Sequence, residues 1–258
     1  MAARASRAGA SLSAFVLHHY DWSESSLILD LFTREHGRLA VAAKGAKRPH
    51  SQLRAVLLPF QRIAVSLGRS AGGEFAEIQN LRAAEWAGGS APPLAGAALF
   101  SGFYLNELLM KLLARHDPHA SLFDAYADTL PALATLDEGM AEAALRAFEL
   151  TLLREIGVLP DLSLATATQQ PLESSERYAL RPDAGVGTAR PRDAGIPAPA
   201  LIELQAALEH GSLAAVRQAC AAVLPELKGM LRQQLHYHLG SSSLRTRQVM
   251  IDTQNLER

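Results

Sequence analysis

Apolar and polar residues alternate in short runs through the first third of the chain and then recur at helical spacing. Residues 13–19 carry Phe15 and Leu17 on one side and Val16 on the other, the period of a strand. Residues 27–33 set Leu27, Leu29 and Leu31 against Ile28, Asp30 and Phe32, and residues 39–43 form a shorter run of small apolar side chains. Between them, Arg34 to Gly37 has turn chemistry, with Gly37 able to take the positive φ of a hairpin return. Residues 49–59, bracketed by Pro49 and Pro59, predict an irregular stretch or a single helical turn. Residues 60–67 alternate again, 68–73 read as a turn, and 74–81 read as a fifth strand. Five short strands within about seventy residues predict a small closed or partly closed β-barrel, and periodicity alone leaves an OB-fold and an SH3-like barrel both open.

Past Gly88, Gly89 and Ser90 the period changes to that of helices. Pro92 and Pro93 stand where a helix's first turn tolerates proline. The helix they start, running to 114, buries Leu99, Phe103, Leu105, Leu108, Leu109 and Leu112. A second begins at Asp117-Pro118 and runs to about residue 130, with Leu122, Phe123 and Tyr126 on one stripe. A third covers 138–156, with Leu145, Phe148, Leu152 and Ile156 in register. Residues 157–199 hold Pro160, Pro171, Pro182, Pro191, Pro197 and Pro199 and few large apolar groups, which fits either a β-turn element around 178–180 or a mobile loop. Helices at 199–208, 213–224 and 225–239 follow, the first two separated by Gly211. The expected fold is α+β: a flexible arm at 1–12, a five-stranded barrel at 13–88, and an α-helical domain at 89–258. A proline-rich, cysteine-free insertion falls at about 160–198 of that domain.

Composition narrows the function. The chain has 258 residues, 48% hydrophobic and 20% charged, with a formal net charge of −1, as expected of a globular protein. Charge is nonetheless segregated. Between positions 34 and 69 the bases Arg34, Arg38, Lys44, Lys47, Arg48, Arg54, Arg62 and Arg69 face one acid, Glu35, the footprint of a polyanion-binding surface. Cys220 is the one cysteine, which excludes an internal disulfide and a cysteine-rich zinc site. Residues 1–11 lack the apolar core of a secretory signal, and Asn106, Glu107 and Lys111 interrupt the apolar run 94–114, which reads as a buried helix. No phosphate-binding glycine loop and no nucleophile elbow occurs. His116, Asp117 and His119 suggest a metal corner, but Pro118 makes the stretch a helix start. Glu107 and Glu149, on apolar helices, read as ion-paired rather than as general bases. No catalytic set assembles.

Five blocks carry a resemblance: FVL at 15–17, WSESS at 22–26, LFTREHGR at 31–38, AKGAKR at 43–48 and LPF at 58–60. In this order and spacing they resemble the amino-terminal half of the RecO family, bacterial recombination mediators and DNA-repair proteins. SGFYLNELL at 101–109, LRAFEL at 145–150 and GSSSLRTR at 240–247 extend the similarity over most of the chain. The resemblance implies an OB-fold barrel and a non-catalytic protein of the bacterial cytoplasm, associated with the nucleoid. It implies binding of single- and double-stranded DNA, annealing of complementary strands, and action with RecR to load RecA onto strands coated by single-stranded-DNA-binding protein. The expected DNA contacts are Arg38, Lys44, Lys47, Arg48 and Arg54, helped by Arg245 and Arg247 of the family-like ending, with Tyr20, Trp22 and Phe60 as candidate stacking platforms. The acidic tail of the single-stranded-DNA-binding protein, which ends in an apolar residue with a free carboxylate, is expected on Leu145, Arg146 and Phe148. Some family members carry a four-cysteine zinc module. Residues 161–195 have no cysteine here, so no metal or other cofactor is expected. An OB-type RNA-binding factor and a hydrolase with an unrecognised site are the competing classes.

Overall fold

The computed structural model describes residues 11–68, 77–88, 93–191, 193–240, 244–246 and 248–249. Contacts divide the chain into two compact units, Met1–Ala91 with Leu113–Phe123, and Pro92–Leu112 with Asp124–Arg258.

The first unit is a closed barrel of β1 (Leu12–Asp21), β2 (Leu27–Thr33), β3 (Gly37–Ala43), β4 (Arg62–Gly68) and β5 (Gln79–Trp86), in the order β1-β2-β3-β5-β4 and closed by pairing of β1 with β4. The β3–β5 pair is parallel and the other four pairs are antiparallel, the OB-fold arrangement. Period-two alternation fills the interior: Ala14, Val16, Leu29, Leu31, Val41 and Ile63 are among the buried residues of one core. A bulge between Val16 and His18 resets β1. Beyond it the rings of His18 and His19 stack, with centroids 6.0 Å apart.

The outer face of β1–β3 is also buried, which alternation alone does not foretell. Every residue of β3 is buried. The covering element is Leu113–Phe123 of the same unit. The Phe123 ring lies 5.1 Å from Phe15 and 5.5 Å from Phe32, and the Arg62 guanidinium sits 5.7 Å from its centroid. The His116 amide donates to the Arg38 carbonyl.

Two expectations about the barrel change. The fifth strand was expected at 74–81 and is found at Gln79–Trp86; residues 74–76 lie outside the described residues, as do 69–73 of the expected turn. Its sequence, QNLRAAEW, has little alternation of its own, and its place is set by pairing with β4, Val65 opposite Ala84. Phe60 precedes the fourth strand, buried and with φ of 67°, so the strand starts at Arg62. Between β3 and β4 a single helical turn, α1 (Leu53–Val56), fills the proline-bracketed stretch.

The second unit is built on α2 (Gly96–Leu112), most of α3 (Ala120–Leu133), α4 (Glu138–Glu155), α5 (Ala198–His210), α6 (Leu213–Ala221) and α7 (Leu224–Leu239). Asp137 caps α4 by accepting from the Met140 amide at 3.0 Å, and α4 packs against both α6 and α7. Of the two readings of 157–199, the β-element is found: β6 (Leu164–Ala165) pairs with β7 (Gln170–Pro171), and β8 (Arg177–Arg181) lies between β9 (Gly185–Thr188) and β10 (Ile196–Pro197). Side chains hold this small module. Thr166 Oγ1 accepts from the Val186 amide at 2.8 Å, Asp161 accepts from the Ser163 amide at 2.7 Å, and Arg181 pairs with Asp193.

Gly37 is the tightest point of the barrel. Its φ is +66°, and a Cβ there would stand 1.9 Å from the Asp117 carbonyl oxygen. At Gly88, also left-handed at +78°, a Cβ would meet nothing within 4 Å. Gly88→Ala is therefore expected to carry the backbone term alone, roughly 1 kcal/mol. Gly37→Ala adds a backbone collision and is expected to cost on the order of 3 kcal/mol or more. Equilibrium urea unfolding of both variants measures the difference; equal midpoints would contradict it.

Candidate functional site

β3 ends by delivering the chain into the basic loop. Lys44 and Arg48 are exposed and Lys47 is half-buried. The loop is built by local bonds: the Ala46 amide donates to Ala43, and the Arg48 amide to Gly45. It is braced against the β1–β2 connection, where the Lys47 amide donates to the Ser25 carbonyl at 3.0 Å and Lys47 Nζ to the Ser23 carbonyl at 3.2 Å. Lys47 Nζ also pairs with Asp21 at 3.1 Å. Tyr20 near the end of β1 is 46% exposed and Trp22 on that connection 55%, unusual for aromatic side chains. Three bases and two open aromatic faces thus share one end of the barrel. Arg54, exposed on α1, follows the loop through the turn in which the Arg54 amide donates to Ser51. Phe60, a third aromatic candidate, is buried and offers no face.

Arg38 is not part of this surface. It is the second residue of β3, so about 20 Å of strand separates it from Lys44. Its side chain is 9% exposed and forks onto Asp30, with Nη2 3.0 Å from Oδ2 and Nε 3.2 Å from Oδ1, while Nη1 donates to the Leu113 carbonyl at 2.9 Å. A guanidinium committed in this way has no donors to turn toward a phosphate, and the expected DNA contact at Arg38 is withdrawn. Arg245 is exposed and belongs to the other unit; Arg247 lies outside the described residues.

The second unit contains a cavity of about 790 Å³ whose lining is mainly apolar. Leu145 and Arg146 of α4 face it, whereas Phe148 is fully buried and does not line it. The helical stripe places Leu145 and Phe148 together only approximately; α4 is enclosed on most sides, so one position decides between cavity and core. The bases Lys228 and Arg232 of α7, one turn apart, join Arg146 at the cavity, and Leu136 at its edge is wholly exposed. These α7 residues were not singled out from the sequence, because two bases at i and i+4 on a polar helix face carry no signal of their own.

Arg146 is 10% exposed, and its Nη1 lies 2.9 Å from Glu149 Oε2 in a poorly aligned contact; neither that oxygen nor the buried Arg146 Nε makes a hydrogen bond. Glu149 is fully buried and its other oxygen accepts from the Tyr104 hydroxyl at 2.6 Å. Burial pushes the Glu149 carboxyl above the usual carboxylate range although Arg146 opposes the change, and burial with the Glu149 charge raises the Tyr104 hydroxyl as well. Glu107 serves differently. Its carboxylate accepts from the amides of Arg245 and Thr246, both at 2.9 Å, and from Thr246 Oγ1 at 2.8 Å, and Lys111 flanks it at 3.2 Å. It thereby pins Leu244 and Thr246, which form part of the cavity wall. Neither glutamate is placed as an isolated base. Among the described residues no group of three or more His, Cys, Asp or Glu is placed to hold a metal ion; His119 lies 3.4 Å from Asp117.

Comparison with known proteins agrees along nearly the whole chain. Residues 10–87 match the family model described as recombination protein O N terminal, and residues 94–248 the one described as recombination protein O C terminal. The chain is 52% identical over 245 residues to the DNA repair protein RecO of Polaromonas naphthalenivorans (strain CJ2), covering 94% of this chain and 96% of that one. Identity to the DNA repair protein RecO of Verminephrobacter eiseniae (strain EF01-2) is the same over the same coverage. With that of Acidovorax ebreus (strain TPSY) it is 51% over 265 residues, covering 98% of this chain and all of the relative.

Burial raises the Glu107 carboxyl, but the bonds from Thr246 and Arg245 outweigh it and hold the group below the usual glutamate value. The sign follows: the clamp is fully present above the unfolded value and is lost as pH falls through the lower folded one. Amide exchange at Arg245 and Thr246, corrected for intrinsic rate, should lose protection in that acid window. In Glu107→Gln protection should be about tenfold lower at neutral pH and flat with pH. Equal protection in the variant would place the clamp elsewhere.

Proposed function

The chain belongs to the RecO family of DNA repair proteins, and from that premise we propose that it is a non-catalytic recombination mediator with two binding surfaces. It binds single- and double-stranded DNA, anneals complementary strands, and with RecR helps load RecA onto strands coated by single-stranded-DNA-binding protein. The observation that carries the DNA-binding part is the meeting of Lys44, Lys47 and Arg48 with exposed Tyr20 and Trp22 at one end of the barrel. Phosphate contacts release counterions and bring two polyanions close enough to pair, while stacking on an open ring tolerates any base. Arg54 extends the basic edge, and Arg245 and Arg247 remain candidates on the other unit.

The tail of the single-stranded-DNA-binding protein has as its proposed receptor the cavity at Leu145 and Arg146. An apolar hollow edged by Lys228 and Arg232 suits an acidic peptide, and the Arg146 guanidinium that lines it suits the terminal carboxylate. Phe148 supports the pocket from within the core.

Reversing charge at Lys44, Lys47 and Arg48 together should lower both affinity for single strands and the slope of log affinity against log salt, by about 2 for three lost phosphate contacts. Strand annealing should fall with it. An unchanged salt slope in the folded triple variant would falsify the assignment.

A fluorescent acidic peptide ending in an apolar residue tests the second surface. Amidating its terminal carboxylate should weaken binding about tenfold or more, the ~1.5–3 kcal/mol of a charged hydrogen bond. Arg146→Gln should weaken the acid to the same degree and the amide hardly at all, since both changes remove one interaction. Independent, additive losses would move the carboxylate to Lys228 or Arg232.

A further inference from the structure

The tail-binding reading leaves Glu149 unexplained. A carboxylate with no exposed surface stands directly behind the arginine that is to hold another carboxylate. If Glu149 only neutralised Arg146, a well-aligned fork would serve. Instead the contact is close but misaligned, and one atom on each side is left unbonded. Arg146 therefore sits between a partner that does not saturate it and a cavity into which it faces.

We infer that Glu149 is a positioning residue for the carboxylate site, and that it takes up a proton from solvent when the peptide carboxylate engages Arg146. The inference rests on the tail-binding reading and deepens it. Three effects of binding act in the same direction. The ligand brings a second negative charge to the far side of Arg146. It draws on the guanidinium that offsets the Glu149 charge, and it fills the cavity and excludes water. All three disfavour the charged glutamate, which burial already disfavours in the empty site.

The groups around Glu149 set where this happens. From α2, Tyr104 donates to Oε1 and favours the charged form. On α4 itself, Arg146 favours it and Glu142 opposes it; Glu142 is engaged by Lys228 at 2.8 Å. From α7, Arg232 favours the charged form, and His236 also lines the cavity. From α6, the buried Cys220 thiol, pushed up to about 12 by burial and by Glu149, stays neutral. Arg146, Tyr104 and Arg232 thus favour the charged Glu149 against burial, and the ligand competes for the first of these.

The consequence is a proton-linked affinity. Through the window between the Glu149 values of the free and bound states, affinity for a carboxylate-ended peptide should rise as pH falls, by up to about tenfold per pH unit for one proton. Buried glutamates titrate as high as about 8–9, so the measurement spans about pH 5 to 9.

The experiment uses the full chain and the fluorescent acidic peptide with a free terminal carboxylate. Proton uptake is read by calorimetry in buffers of different ionisation enthalpy. Glu149→Gln, an isostere of the protonated form, should lose that uptake, flatten the pH profile, and bind at least as tightly as the unaltered protein at the alkaline end. A merely structural role would weaken binding at every pH. Tyr104→Phe removes a bond that favours the charged form and should shift the profile to higher pH; it serves if Glu149→Gln does not fold. His236→Asn isolates the histidine's own contribution and should leave the Glu149-dependent part intact. Parallel profiles for Glu149→Gln and the unaltered protein, or tight binding with no proton uptake, overturn the inference while leaving the pocket in place. Failure of the peptide to bind at any pH overturns the pocket reading and the inference with it.

Discussion

The buried pair of Asp30 and Arg38 is the constraint from which the barrel unit is organised. Asp30 is 2% exposed in the middle of β2, a position where an unpartnered carboxylate is not tolerated. Arg38 supplies a two-pronged partner from β3, and Arg115 approaches the same carboxylate at 3.8 Å. The remaining arginine donor reaches the Leu113 carbonyl, so the pair fixes both a strand register and the path of the covering segment. Removing either partner would leave an uncompensated buried charge at a cost of about 3–5 kcal/mol. Gly37 completes the arrangement, since only an absent Cβ lets Asp117 pass so close. With that face closed, the barrel end bearing Lys44, Lys47 and Arg48 is the part left open to a polyanion.

The strands were legible where alternation and turn chemistry agreed. Gly37 sits at its positive φ, and β2 and β3 pair as the pattern demands. Alternation failed where tertiary pairing decides. β5 has few large apolar residues, and its register comes from β4. Arg38 was misread for a related reason. A basic residue among bases suggests solvent, and the acid that claims it is eight positions earlier, on the neighbouring strand. Asp30 was placed in the sequence pattern as one polar residue on a strand's side, and nothing local said that this side would be buried.

The stretch 157–199 left two readings open, and the β-element is the one found. Six prolines and few apolar groups read as poor packing, yet the described residues form two small sheets. Prolines fall at strand ends, as Pro171 and Pro197 do, where no ladder donor is missed. Polar side chains then perform the joining: Thr166 to β9, Arg181 to Asp193, and Arg177 to both the Gly195 carbonyl and Glu226. Where some family members have cysteines, this chain uses hydrogen bonds and ion pairs, a form of cross-linking with no compositional signature.

The two surfaces differ in how they are held, and that bears on what each can distinguish. Lys44 and Arg48 are solvated and their backbone is fixed by single-turn bonds, so they offer charge without a fixed fork. Such a surface suits a ligand whose identity lies in its phosphate spacing, and its strength is subject to salt screening. Arg146 is the reverse: buried, oriented from behind by Glu149, and backed in turn by Tyr104. On the proposed assignment, a single oriented guanidinium at an apolar cavity would discriminate one terminal carboxylate from a side-chain amide or a phosphate chain, because the guanidinium and the hollow beside it must both be met. Lys228 and Arg232 then add attraction for acidic neighbours without fixing their geometry. On the proposed assignments, the helical unit would read one chemical end and the barrel a polymer.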